Sequence, residues 1–390
     1  MSVTVAEDQV FLDAIRHIAE EVAAPNADDV DREARFPVET LAALREIQAL
    51  SAFVPTELGG GGVSFEALAG ACFELGRHCG ASAMVFAMHQ IQVATIVRHL
   101  DDAPWFEGYL RDLVAEQRLV ASVTSEVGTG GDMGRSIACV EPAGDGIGRF
   151  EKQAPTVSYG AYADDLLTTH RRSPDAEAGD QVCVLTHKTQ HTLEPTGSWD
   201  PLGMRGTCSP GNIVRAELPL EQVLPTQFAS VMNESMVPIS HILWSHLWLG
   251  ISTDAFARAR AFVRAAAKRK PGETPPAAIR LSQLMSELSL LRAEVYSALR
   301  EFVEASEDDR TRLSEMATIL RFNNLKIAAS EQAPKVCQGA LGVCGIVGFK
   351  NDTPFSVGRH LRDTMSACLM VANERIHQTN ASLLLIAKEV

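Results

Sequence analysis

The chain has 390 residues, of which 46% are hydrophobic, 22% charged and 6% aromatic, and this composition excludes disordered and collagen-like proteins. Its 49 acidic and 35 basic side chains give a formal net charge of −14. That charge disfavours nucleic acid as a partner, because it repels a phosphate backbone. The longest basic run, Lys268-Arg269-Lys270, is typical of a solvated helix end.

The N-terminus lacks the basic flank and the continuous apolar run of a signal peptide, and no stretch of about 20 apolar residues occurs. The eight cysteines contain no CxxC pair and lie mostly among apolar or small neighbours. We therefore expect a cytoplasmic protein with reduced core thiols and without a membrane partner.

Apolar residues recur at helical spacing through the first third of the chain. The predicted helices cover Val10–Val22, Val38–Ile47, Phe65–Leu75, Ala81–Leu100 and Trp105–Val114. Within the fourth, His89 and Gln90 are expected to form a hydrogen-bonded core pair rather than a catalytic one.

Near Leu119 the pattern changes to short β-rich runs punctuated by glycine and proline. These runs are LVASVT, SIACVE, DLLTTH, QVCVLTH, TLEPTG and NIVRAEL. Helical periodicity returns after Pro225 and predicts helices over Ile239–Ala267, Ala278–Ser306, Arg310–Leu341 and Leu361–Lys388. The prolines of Lys270–Pro276 must separate the first two, which predicts a hairpin of long helices and half of a four-helix bundle.

A glycine-rich segment, Thr124–Gly134, lies between two predicted strands. It is not a Rossmann turn, because a dinucleotide-binding GxGxxG needs a helix directly after it. Consecutive amides of small residues form anion-binding nests, so a phosphate loop and a plain turn both remain open. Neither an HExxH motif nor a His/Cys/Asp cluster at ligand spacing occurs, and no metal site is predicted.

Five segments, in chain order, resemble motifs of the acyl-CoA dehydrogenase superfamily of flavoproteins. They are Phe53–Gly60 ("vPeelGG"), Val123–Asp132 ("TEPxxGSD"), Ser158–Asp164 ("ITNgxxAD"), Leu202–Thr207 ("LGmRGT") and Gly345–Phe349 followed by Arg362-Asp363 ("GGxGY … yRD"). The resemblance runs over nearly the whole chain. It implies an α+β fold with an N-terminal helical domain (1–118), a middle β-barrel or sandwich domain (119–225) and a C-terminal four-helix bundle (226–390).

The resemblance further implies FAD between the β domain and the bundle, with the ring near the first strand and the pyrophosphate near the glycines. The implied cofactor contacts are Val123, Thr124, Ser125, Gly128, Gly130, Gly131, Thr156, Ser158, Arg269, Gly345 and Gly348. Thr156 replaces the aromatic residue of the family's "WIT" segment. Members are usually homodimers or homotetramers, in which the counterparts of Arg269 (or Lys268) and of Gly345 to Phe349 reach a neighbouring subunit's FAD.

The reaction implied is α,β-dehydrogenation of an acyl thioester, carried by CoA or a carrier protein, with hydride transfer to FAD and onward electron transfer to a partner or oxygen. A base must remove the α-proton. Counting from Arg362 places the family's base at Val371, and counting back from the C-terminus places it near Ile376. Glu374 is the only acid in this window, and the second family position falls on Ser240.

Glu374 has two readings. It is either the catalytic base or a surface residue of a helix predicted to run uninterrupted over Ser366–Leu385. On the substrate side, Gly131, Ser240 and His241 stand at implied contacts, but Gly131 replaces the family's serine and His241 an arginine that helps to hold CoA. Coenzyme A binding is thus less secure than FAD binding.

The missing carboxylate motivates an alternative: a flavin monooxygenase or oxidase of the same fold, which uses reduced flavin and oxygen and needs no such base. A third reading is a scaffold that has lost its cofactor, motivated by Thr156.

Overall fold

The computed structural model describes residues 5–100 and 103–387, so Lys388, the last residue of the predicted final helix, lies outside them. The first domain contains six helices among its described residues, and they include all five predicted ones. They are α1 (Val5–Ile18), α2 (Ala24–Arg32), α3 (Val38–Glu46), α4 (Phe65–His78), α5 (Gly80–Arg98) and α6 (Pro104–Glu116). A π-helical turn, Ala19–Ala23, joins α1 to α2, and Ser64 caps α4 by accepting a hydrogen bond from the Ala67 amide at 3.1 Å.

Helix α5 is the buried core of this domain. It is long and apolar enough to cross a membrane, but 89% of its most apolar window is buried inside the protein, as in a core helix of a globular domain. Its His89 Nε2 lies 2.7 Å from the Leu50 carbonyl oxygen, and its Nδ1 accepts from the Val120 amide at 3.0 Å. Gln90 donates to Ala49 O at 2.8 Å, so the predicted core pair is confirmed.

The middle domain consists of two sheets. Its strands are β1 (Val120–Val123), β2 (Glu141–Gly144), β3 (Ile147–Ala154), β4 (Asp165–Arg171), β5 (Gln181–His187), β6 (His191–Pro195) and β7 (Asn212–Pro219). One sheet has the order β1-β4-β5, with β1 parallel to β4, and the other is antiparallel with the order β2-β3-β7-β6. The sheets meet where the Phe150 and His170 rings lie 3.9 Å apart and Lys152 Nζ donates to Thr169 O at 2.6 Å.

Two details of the β domain differ from the prediction. The run SIACVE forms only an isolated bridge at Cys139 before β2 starts at Glu141. Strand β3 was not predicted. Its inward positions alternate regularly but include Gly148 and Lys152, so the alternation is one of burial rather than of hydrophobicity.

The C-terminal region is a helical bundle with an interrupted last helix. Its helices are α7 (Phe228–Val231), α8 (Val237–Arg269), α9 (Ala277–Asp308), α10 (Met316–Cys344), α11 (Ile346–Phe349), α12 (Gly358–Met365) and α13 (Asn373–Leu384). The hairpins α8–α9 and α9–α10 are antiparallel, so α8 and α10 run in the same direction and begin at the same end of the bundle. Among the described residues all eight cysteines are free thiols, five of them buried.

The uninterrupted helix predicted over Ser366–Leu385 is wrong. The chain leaves the helix after Met365, passes through a left-handed residue at Val371 (φ 45°) and starts α13 at Asn373. Ser366 Oγ donates to the Asp363 carbonyl at 2.7 Å, which gives the backbone a local alternative to the helix. The break falls where the resemblance places the family's base.

Candidate flavin site

The glycine-rich segment forms an open loop with several left-handed residues. Gly128, Gly130 and Gly131 have φ values of 93°, 62° and 85°. No helix follows, as the sequence predicted, and among the described residues the amides of residues 128 to 131 have no acceptor. Successive free amides of this kind are typical of concave anion sites, and the segment is also a turn, so the phosphate loop stays a prediction.

A buried ion pair between Glu126 and Lys152 supports this loop. The Glu126 carboxylate accepts hydrogen bonds from Ser136 Oγ (2.7 Å), the Ile137 amide (3.1 Å) and the Ala138 amide (2.6 Å). Lys152 Nζ lies 3.7 Å from Glu126 Oε2, and burial lowers the lysine pKa to about 8. Neither residue was predicted as part of a site. In the sequence, Glu126 stands at the acidic position of the "TEPxxGSD" motif. Lys152 lies at an inward-facing position of β3.

Arg375, on α13, faces the same loop. A Cβ atom built on Gly130 would lie 2.5 Å from Arg375 Nη2, and one built on Gly131 would lie 3.4 Å from Nε. A side chain at Gly130 would therefore displace the guanidinium group from this position. Within the described part of the chain Arg375 forms no ion pair, so a half-buried cation stands beside the free amides.

Hydroxyl groups of the β domain lie next to this loop. Ser125 Oγ donates to Thr156 O at 3.0 Å and lies 3.4 Å from Thr156 Oγ1. Ser158 Oγ accepts from Ser209 Oγ at 2.9 Å. Thr124 precedes Ser125, and its carbonyl oxygen lies 3.5 Å from Lys152 Nζ. The edge of the β domain is thus a polar face near the glycines.

On the bundle side, the predicted substrate residues lie in the first turns of α8. Ser240 Oγ donates to Val237 O at 2.8 Å, and His241 Nδ1 lies 3.1 Å from Phe322 O on α10. Burial, reinforced by the nearby Lys326 charge, lowers the His241 pKa to about 3, so its imidazole is neutral. One turn further on, the buried Trp244 Nε1 has no acceptor among the described residues. It is a free donor at the predicted substrate helix.

The interrupted helix connects these two sides. Lys326 Nζ, on α10 one turn beyond Phe322, donates to Val371 O at 3.0 Å and to Asn373 Oδ1 at 2.7 Å. Asn373 is followed by Glu374, which is exposed, and by Arg375 at the glycine loop. Val371 and Ile376, the two positions expected for the family's base, are not acids, and within the described residues the Glu374 carboxylate between them forms no hydrogen bond or ion pair.

Three predicted cofactor residues lie at the opposite end of the bundle. Arg269 is the exposed last residue of α8, about 40 Å along the axis from His241. Gly345 and Gly348 follow the end of α10, where a Cβ on Gly348 would lie 2.5 Å from the Cys344 Cβ. Within one chain, these three residues therefore lie far from the glycine loop.

Residues 6–115 match the family model described as "Acyl-CoA dehydrogenase, N-terminal domain". The chain is 22% identical over 370 residues to the probable acyl-CoA dehydrogenase YngJ of Bacillus subtilis (strain 168), with 92% of each chain covered.

Solved structures share the fold. KijD3 in complex with dTDP superposes with a TM-score of 0.84 at 24% identity, covering 98% of this chain and 97% of the other. FMN-bound TdsC from Paenibacillus sp. A11-2, which another solved structure names dibenzothiophene monooxygenase, has a TM-score of 0.83 at 20% identity and covers 96% of this chain and 97% of the other. At these identities the likeness shows the fold alone. The family-model match over residues 6–115, the relative and the shared fold together support membership of the chain in the acyl-CoA dehydrogenase superfamily.

Proposed function

We propose that this chain is a flavin-dependent oxidoreductase that binds the flavin phosphate between the Gly128–Gly131 amides and Arg375. The observation that carries the proposal is the pairing of unsatisfied amides with a guanidinium group that lacks an ion-pair partner among the described residues. Anionic phosphate satisfies both groups through charge-assisted hydrogen bonds. FMN in TdsC and the FAD implied by the resemblance each carry such a phosphate.

The remaining residues fit a flavin in complementary ways. The Ser125 and Thr156 hydroxyls offer hydrogen bonds at the β-domain edge, and the buried pair of Glu126 and Lys152 keeps the loop in place. A bound flavin supplies hydride acceptance and, once reduced, reaction with oxygen. The bundle side adds the neutral His241 and the free Trp244 donor, which face the substrate in the proposed arrangement.

Two reactions fit this site, and the geometry favours the one that uses oxygen. Desaturation of a thioester needs a carboxylate within hydrogen-bond reach of the α-proton. The two counts along the sequence place that base at Val371 or near Ile376, and Glu374, the only acid between them, is exposed to solvent. A monooxygenase, whose flavin is reduced by a separate reductase, does not need the base. Thioester dehydrogenation with Glu374 as base is the second candidate, supported by relatives such as YngJ.

The cofactor proposal is tested by comparing FMN, FAD and riboflavin, because riboflavin has the same ring but lacks the phosphate. Fluorescence quenching gives the dissociation constants. Arg375→Gln is expected to weaken FMN binding about tenfold or more, the scale of a lost hydrogen bond to a charged group, and to leave riboflavin binding unchanged. Arg264→Gln, which alters an exposed arginine of α8, serves as the control. Equal losses for FMN and riboflavin would contradict the phosphate assignment.

The reaction class is tested by anaerobic mixing of the flavin-loaded protein with a panel of acyl-CoA thioesters. The oxygen-using reaction predicts no bleaching of the flavin band, and turnover only with a reductase and oxygen. Bleaching that Glu374→Gln abolishes, and that the exposed control Glu287→Gln retains, would instead establish the dehydrogenase.

We also propose that the protein forms a homodimer or homotetramer. The distant Arg269, Gly345 and Gly348 are supportive, since their end of the bundle also exposes the large apolar side chains of Ile346 (72%) and Phe349 (68%). Sedimentation velocity tests this, and a purely monomeric species at micromolar concentration would exclude it.

A further inference from the structure

The proposed function leaves one buried cation unused. Lys326 is 0% exposed, yet its ammonium group contacts two neutral acceptors: the Val371 carbonyl oxygen at 3.0 Å and Asn373 Oδ1 at 2.7 Å. Ser330, one turn further along α10, accepts from Asn373 Nδ2 at 3.0 Å and so fixes the amide that accepts from the lysine. The lysine is thus built into the break between α12 and α13.

The groups around Lys326 do not neutralise its charge. Helix α8 contributes the neutral His241, the loop contributes Cys368, and α13 contributes the uncharged Asn373. Glu331, on α10 itself, is exposed; its carboxylate accepts from Asn373 Nδ2 at 3.5 Å, and its charge only partly opposes the effect of burial on the Lys326 pKa. The α9 carboxylates Glu294 and Glu301 pair with Arg321 instead. In the described part of the chain, no carboxylate lies within ion-pair distance of Lys326. A buried unpaired charge is costly, and native proteins keep it mainly where it has a use.

The backbone that Lys326 holds is strained. Val371 has a φ of 45°, and a β-branched residue in the left-handed region is an outlier whose cost must be met by surrounding contacts. Such residues concentrate at active sites and switch segments. The strained residue and the buried cation meet at one atom, the Val371 carbonyl oxygen.

We propose that Lys326 is a positioning residue of the flavin site: its ammonium group holds the loop of residues 366–372 in its strained conformation and puts a positive charge at Val371, one of the two positions where the resemblance places a negatively charged base. The second half rests on the proposed function. A cation at this loop stabilises negative charge that develops on neighbouring groups during the reaction.

The test compares Lys326→Met, which removes the charge, with Lys326→Arg, which retains it. Lys335→Met, at an exposed lysine of the same helix, is the matched control. Hydrogen exchange of the 366–373 amides is measured without flavin. We expect exchange about tenfold faster or more in Lys326→Met, the scale of a lost hydrogen bond to a charged group, and near the wild-type rate in Lys326→Arg and in the control. Unchanged exchange in Lys326→Met would overturn the positioning role.

If Lys326→Met does not fold, Asn373→Ala takes its place, because it removes one acceptor and retains the lysine. Faster exchange confined to the same amides supports the proposal, and wild-type exchange contradicts it.

The charge itself is tested on the flavin-bound protein. The visible band of bound oxidised flavin is followed from pH 6 to pH 10, and we expect an inflection near 8, where burial places the Lys326 pKa. The inflection should disappear in Lys326→Met. An identical titration in Lys326→Met would refute the second half of the proposal. Failure of the wild-type protein to bind flavin would refute the proposed function, while the exchange experiment would still decide the positioning role.

Discussion

The buried Lys326 gives the protein a pH-dependent stability that can be isolated by one substitution. Burial lowers the lysine pKa to about 8 in the folded chain, against 10.5 for an ordinary lysine. Between these values the unfolded chain binds the proton and the folded chain does not. The free energy of unfolding therefore rises with pH across this window, and the lysine destabilises the fold most below pH 8.

The size of the effect follows from the same pair of values. The difference between the folded-state pKa of about 8 and the ordinary lysine pKa of 10.5 corresponds to a free energy of about 3 kcal/mol, at about 1.4 kcal/mol per pKa unit. The Lys326→Met variant lacks this titrating group. The free energy of unfolding of the wild type, relative to that of Lys326→Met, should therefore increase by about 3 kcal/mol between pH 7.5 and 11. Lys152 has a similarly lowered pKa, but it is present in both proteins and cancels in the difference.

Urea unfolding of the flavin-free protein at several pH values measures this difference. Lys335→Met, at the exposed lysine, should track the wild type at every pH. A wild-type to Lys326→Met difference that stays constant across the window would refute the reasoning, because it would mean that Lys326 titrates in the folded chain as it does in the unfolded one.

Two further substitutions test the glycine loop. Glu126→Gln leaves Lys152 buried without its ion-pair partner and should lower the free energy of unfolding by about 3 to 5 kcal/mol. The control Glu141→Gln, which breaks an exposed pair with Arg149, should lower it by about 1 kcal/mol or less. Urea unfolding measures both changes. Gly130→Ala places a methyl group against Arg375 at a residue with positive φ and should weaken FMN binding in the fluorescence titration. The control Gly197→Ala, which has open space around it, should leave FMN binding unchanged. Equal FMN affinities of the two variants would contradict the close approach of the guanidinium group.

Much of the fold could be predicted from apolar periodicity, because most helices bury one continuous stripe. The long helices α8, α9 and α10 were recognised within a few residues of their ends, apart from the start of α10 at Met316. Strand β3 escaped because its inward positions include Gly148 and Lys152. The break before α13 escaped because no glycine or proline marks it: a valine adopts the left-handed conformation there, held by a lysine 45 residues away in sequence.

The site was predictable only where local motifs carry it. The glycine loop and the hydroxyls of Ser125, Thr156 and Ser158 could be predicted from the sequence because backbone amides and short side chains act within one segment, and their contact with a flavin stays a prediction. Arg375 and Lys326 were not predicted, since the roles proposed for them depend on contacts between helices and loops distant in the chain. The role of Glu374 stays a prediction, and the structure places its carboxylate in solvent.

The central claim is that this chain binds a flavin through the phosphate at the glycine loop. Titration of the purified wild-type protein with FMN, FAD and riboflavin, with stoichiometry from absorbance and affinity from fluorescence, tests it most directly. The account predicts one flavin per chain and tighter binding of FMN or FAD than of riboflavin. Absence of binding, or equal affinity for riboflavin and its phosphorylated forms, would contradict it.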